Sequence, residues 1–159
     1  MTEHVRGSGP VELLEYADFQ CHYCRDAVPS LRRVLERLDG RVRLVFRHFP
    51  VSSKHPRAHE LAQAAEAAAA QGRFWEMHDL LFAEKDPDPV ALARRLGLDV
   101  GRFEAELRAG AHAARVDADR AKGEAAGVTG TPAFFVAGQR HRGFYDVEAL
   151  VDELLDAGA

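Results

Sequence analysis

Apolar residues first concentrate at Val11-Glu12-Leu13-Leu14-Glu15-Tyr16, a run apolar on both faces that suits a central parallel strand. Glu15 breaks the pattern: it shares a face with Val11 and Leu13, so its carboxylate points inward. Val28, Leu31, Val34, Leu35 and Leu38 then recur at helical spacing, predicting a helix over Arg25 to Leu38 that Asp39-Gly40 ends. Pro29 falls inside it, removes a backbone hydrogen bond, and predicts a kink. Arg41 to Phe49 reads as a strand with Val42, Leu44, Phe46 and His48 on one face. Strand, helix and strand with short joints make a βαβ unit, so the two strands run parallel.

The pattern then turns helical. Expected helices cover Arg57 to Gln71, Phe74 to Phe82, Pro89 to the stop at Gly97, Asp99 to Leu107, and Ala111 to Ala126. Strand character returns at Ala133-Phe134-Phe135-Val136, with a turn at Ala137-Gly138 and a second arm from Gln139 to Phe144. Asp146 is placed to cap a last helix whose apolar face is Val147, Leu150, Val151 and Leu154. The order is βαβ, a helical block over about 56–126, then ββα. No repeat or low-complexity linker divides it, and 159 residues are most simply one domain.

Composition narrows the function classes. A formal net charge of −4 gives no electrostatic footprint for nucleic acid. No stretch approaches the roughly 18–20 apolar residues of a membrane span, so no membrane insertion is expected. Met1 to Pro10 is polar and lacks the apolar core of a signal peptide, so the expectation for the chain as written is a cytoplasmic protein. A processed form would be periplasmic or extracytoplasmic.

Both cysteines lie in Phe19-Gln20-Cys21-His22-Tyr23-Cys24, at a strand-to-helix junction, and read first as a dithiol redox site. Cys21 at the helix N-terminus meets unpaired N–H groups and the positive end of the helix dipole, which favour its thiolate. Cys24, one turn in, is placed to resolve a mixed disulfide. His22, if protonated or donating, stabilises the Cys21 thiolate further, or with Tyr23 it only shapes the exposed rim. Zinc is the rival: Cys21, Cys24, His55 and His59 give C-x2-C and H-x3-H, although thirty residues separate the pairs where zinc fingers have roughly 12–15. A peptide-binding, chaperone-like module with incidental thiols is a third reading. His48 and His78, on apolar faces, are expected to be satisfied core residues.

Asp18 to Cys24, Pro29, Arg47-His48-Phe49-Pro50, Gly72 to His78 and Gly130-Thr131-Pro132 together resemble the DsbA-like thioredoxin-fold family of thiol–disulfide oxidoreductases, from about Val11 to Leu155. The resemblance implies a thioredoxin-like α/β fold with an all-helical insertion. It makes Pro132 a cis-proline that aims Thr131 at the dithiol to bind substrate backbone, with Tyr23 on the substrate-facing rim. It also makes Glu15, six residues before Cys21, a buried acid placed to carry the proton of Cys24. No cofactor is implied. The partners implied are protein or peptide thiols and disulfides and an unidentified redox recycling partner. The family often carries Pro where this chain has His22, which leaves oxidase and reductase directions open.

Overall fold

The computed structural model describes residues 2–143 and 145–159; Met1 and Phe144 lie outside the described residues. A five-stranded mixed sheet has the order β1-β3-β2-β4-β5. Its centre is the predicted βαβ unit: β2 (Val11–Ala17) runs parallel to β3 (Val42–His48), with α1 (His22–Arg37) between them. Strand β4 (Ala133–Val136) pairs antiparallel with β2. Strand β5 is only Gln139–Arg140, so the hairpin's second arm stops well short of the predicted end, and Phe144 is outside the described residues.

The N-terminal stretch holds a strand that the hydropathy pattern misses. Strand β1 (His4–Ser8) pairs antiparallel with β3 at the sheet edge. Two of its residues, Val5 and Arg6, meet Trp75 of the insert. Trp75 Nε1 donates to the Val5 carbonyl at 3.0 Å, and the Arg6 guanidinium lies 4.4 Å over the indole. An edge strand has no need of an apolar alternation on both sides, and this one has none.

Between β3 and β4 come five helices: α2 (Ala58–Ala69), α3 (Phe74–Ala83), α4 (Pro89–Arg95), α5 (Val100–Ala109) and α6 (Ala113–Ala125). Asp88 and Asp99 cap α4 and α5 with their carboxylates, and Asp146 does the same for α7 (Val147–Asp156). Helices α1 and α7 bury Ala27, Leu31, Val34, Leu150, Val151 and Leu154 with Val11, Leu13, Leu44 and Phe134 of the sheet. The insert's core of Leu61, Met77, Leu81 and Phe103 is continuous with Phe19, Phe46 and both cysteines. The opposite sheet face carries Leu14, Tyr16, Val45 and Phe135. There Gly123 of α6 lies so close to Phe49 and Tyr16 that a Cβ would sit 2.7 Å from the Phe49 ring.

Candidate active site

Burial of β2 on both faces carries Glu15 to the middle of the sheet, in register with Phe46 on one side and Phe134 on the other. It is 2% exposed. Desolvation among these neighbours, aided by the charge of Cys21, raises its pKa from 4.5 to about 8. The chain then leaves the sheet through Asp18 and turns into α1 at Cys21, which is the helix N-cap. Cys21 and Cys24 are both free and both buried.

At the cap, Cys21 Sγ accepts a hydrogen bond from the Cys24 backbone N–H at 3.3 Å. As a thiol it also donates to the Thr131 carbonyl at 3.5 Å, across 110 residues of sequence. Its pKa falls from 9.0 to about 6. The hydrogen bond from the Cys24 side chain leads, burial opposes it, the Thr131 side chain and the Cys24 N–H add to it, and Asp18 pushes the other way. Cys24 moves oppositely: burial first, then Cys21 and Glu15, push its thiol well above the ordinary value. The pair therefore divides into an ionised sulfur at neutral pH and a protonated one behind it.

The Thr131–Pro132 peptide bond is cis. Thr131 shares with Cys21 a cavity of about 460 Å³, whose lining includes Tyr23, Val51, Lys54, His55 and Arg120. Tyr23 is among the few large exposed apolar side chains. His22 is exposed and its Nε2 lies 3.2 Å from Asp26, one turn on. The hydrogen bonds that lower the Cys21 pKa come from Cys24 and Thr131.

Sequence reasoning missed Asp18. Its buried carboxylate accepts from Gln20 N at 2.7 Å, Val51 N at 2.9 Å and His55 Nδ1 at 2.8 Å. It thereby fixes the approach to Cys21 against the 51–55 loop. A lone Asp before a cysteine gives no local signal, and two of its three partners, Val51 and His55, lie more than thirty residues away. Arg25 was missed as well: it donates to the Phe82 carbonyl at 2.8 Å and the Glu84 carbonyl at 3.0 Å, tying α1 to the end of α3.

The four supposed zinc ligands do not converge, since His55 is bound to Asp18 and His59 to Asp117. Among the described residues one other cluster has ligand atoms within 4.8 Å of one another, His4, His48 and Glu66. There both imidazoles already hydrogen-bond the same Glu66 oxygen, at 2.6 and 2.7 Å, and Arg115 supplies a cation 3.7 Å from the other. His78 is buried on Asp79 as expected, whereas His48, equally buried, bonds Glu66 through Nε2 but leaves its Nδ1 without a hydrogen-bond partner among the described residues.

Residues 1–157 match the model of a family described as Thioredoxin. The chain belongs to the thioredoxin family. Among solved structures it is similar to a thioredoxin-like oxidoreductase from Silicibacter pomeroyi, with TM-score 0.86 and 28% identity over 98% of this chain and 91% of that one. BdbD from Bacillus subtilis, in its oxidised form, gives TM-score 0.87 at 18% identity, over 97% and 91% of the two chains. The thiol-disulfide exchange protein alpha-DsbA2 from Wolbachia pipientis gives 0.84 at 16%, over 98% and 87%. The thioredoxin fold with a DsbA-like helical insertion is thus the fold of this chain.

Curated relatives are longer proteins. A Na(+)/H(+) antiporter NhaA 3 from Salinispora tropica is 46% identical over 99% of this chain and 25% of its own length. An NhaA 1 from Salinispora arenicola is 45% identical over 93% and 24%. The chain spans about a quarter of the length of the curated relatives it matches. These relatives are named for a membrane protein, and that overturns the cytoplasmic expectation, which rested on the polar N-terminal stretch alone. Among the described residues no helix is long and apolar enough to cross a membrane.

Proposed function

We propose that the chain, as a single unit over residues 1–159, is a thiol–disulfide oxidoreductase that exchanges its Cys21–Cys24 dithiol with protein or peptide thiols and disulfides. The observation that carries this is the geometry of the pair: Cys21 Sγ caps α1, accepts from the Cys24 N–H and faces the Thr131 carbonyl, with the buried Cys24 one turn behind it. That setting lowers the Cys21 pKa and raises that of Cys24. In the reducing direction the Cys21 thiolate attacks one sulfur of a substrate disulfide. One S–S bond forms, one breaks, and the first substrate sulfur leaves as thiolate. Cys24 then gives up its proton and attacks Cys21 Sγ, closing the internal disulfide and releasing the second substrate thiolate. The reverse sequence oxidises a substrate dithiol.

Glu15 is the proton carrier for Cys24: buried, close enough for its charge to raise the Cys24 pKa, and with a pKa of about 8, the carboxyl exchanges a proton near neutral pH. Thr131 and Pro132 hold the substrate segment against Cys21, and Tyr23 with His22 forms the rim that meets it. The net direction follows the potential of the recycling partner, which returns the pair to its starting state. A binding module without turnover, or a zinc module, has no use for a thiolate and a thiol held so far apart in pKa.

The test is trapping. Cys24→Ser should accumulate a mixed disulfide with glutathione or a cysteine peptide on Cys21, seen as one adduct by intact mass, while Cys21→Ser should form none. Exchange that survives in Cys21→Ser removes the proposed mechanism.

A further inference from the structure

The mechanism leaves one buried carboxylate beside the reacting sulfur unused. Asp18 has no exposed side-chain surface, lies three residues before Cys21, and its charge opposes the thiolate. A carboxylate in that place costs reactivity unless something offsets it. Two of its three partners are backbone N–H groups, which fix the loop but carry no charge. The third is a side chain that can: His55, whose Nδ1 sits 2.8 Å from Oδ2 and whose ring is partly open to the cavity that holds Cys21. His55 is held there by its own backbone, through a hydrogen bond from its N–H to the Val51 carbonyl at 2.9 Å.

Resting on the exchange reaction proposed above, we propose that His55 is a positioning residue for Cys21: it acts through Asp18, locking the loop and, when protonated, cancelling the carboxylate's charge at the sulfur. The other titratable or charged groups on the same cavity are Cys21, His22, Tyr23, Lys54 and Arg120. His22 is turned toward Asp26, and Arg120 donates to Glu124 at 3.0 Å and to the Pro50 carbonyl. His55 is the cavity group placed on Asp18 itself. Protonation there favours the thiolate, so it favours the reduced form of the pair and makes the disulfide more oxidising.

The geometry separates hydrogen bonding from charge, because an Asn amide can replace the Nδ1–H donor without ever becoming cationic. The experiment follows thiolate absorbance at 240 nm against pH in the wild type, His55→Asn, His55→Ala, Asp18→Asn and Asp18→Asn/His55→Asn, each with its equilibrium against glutathione. His55→Asn should raise the Cys21 pKa by about half a unit and make the disulfide less oxidising. His55→Ala should raise it at least as far, and the shift between Asp18→Asn and Asp18→Asn/His55→Asn should be less than half of that between wild type and His55→Asn. A wild-type Cys21 pKa in His55→Asn overturns the inference, as does an equal shift whether or not Asp18 carries charge. If the wild type itself exchanges no thiols, the parent reading fails instead; if it exchanges normally while His55→Asn is unchanged, only the role of His55 falls.

Discussion

Replacing Glu15 by Gln tests the buried acid through stability as well as catalysis. A carboxyl whose pKa rises from 4.5 unfolded to about 8 folded binds its proton more tightly in the native state. Between those values the unfolded chain has already ionised while the native one has not. Stability then falls as pH rises, by about 1.4 kcal/mol per unit. The contribution is intact below pH 4.5, has cost about 3 kcal/mol at pH 7, and levels off near a loss of about 5 kcal/mol above pH 8. In the reduced wild type this slope is partly hidden. Cys21, lowered from 9.0 to about 6, adds stability as pH rises through that interval. The difference between Glu15→Gln and wild type, both reduced, cancels the Cys21 part that does not depend on Glu15 and leaves the Glu15 titration together with its coupling to the two cysteines.

Urea unfolding followed by the fluorescence of Trp75, the sole tryptophan, at pH 5, 6, 7 and 8 measures that difference. The variant should gain on the wild type at each step, by about 2.5 kcal/mol between pH 5 and pH 7. The constant cost of an amide in place of a carboxyl shifts the whole curve but not its slope. Parallel pH profiles would refute the reasoning, since they require Glu15 to titrate alike in both states. Kinetically, the same variant should lose the rise in mixed-disulfide resolution between pH 7 and 8.

Thr131→Val keeps the branched shape but removes the side-chain hydrogen bond to the sulfur, so the Cys21 pKa should rise above 6 and alkylation at pH 6 should slow. Cys24→Ala, which removes the leading contribution, should raise it further by the same assay. Gly123→Ala puts a methyl 2.7 Å from Phe49 and 3.1 Å from Tyr16, both in the core, and should cost about 1–3 kcal/mol by thermal or urea unfolding.

The elements that were readable in the sequence are those whose own residues fix them. Asp88, Asp99 and Asp146 mark helix starts because a carboxylate three residues from free N–H groups has one obvious use. The βαβ centre was readable because strands buried on both faces must be apolar throughout. Strand β1 was not readable, because an edge strand paired on one side alternates only weakly: Val5 and Arg6 are held by Trp75, seventy residues on. In the site, Cys21, Cys24 and Glu15 announce themselves by residue type and place. His22 draws attention for the same reason, yet its ring faces Asp26, a partner invisible until the helix is built. Asp18 and His55 are the converse: ordinary residues locally, joined only once β3 returns beside β2. The H-x3-H spacing even pointed His55 toward a metal it does not face.

The indole of Trp75 on the Val5 carbonyl has a bearing on how this molecule meets others. A sheet edge is a template on which a neighbouring chain can build. Here one edge has a carbonyl already taken and an arginine laid over the plug, and the other ends in a strand of two residues. Among the described residues, both edges therefore present less free backbone to a neighbouring chain than an open strand of the same sheet would. In the proposed exchange reaction an extended substrate would pair instead with the backbone at Thr131, beside the sulfur, so the guarded edges would also steer it to the dithiol.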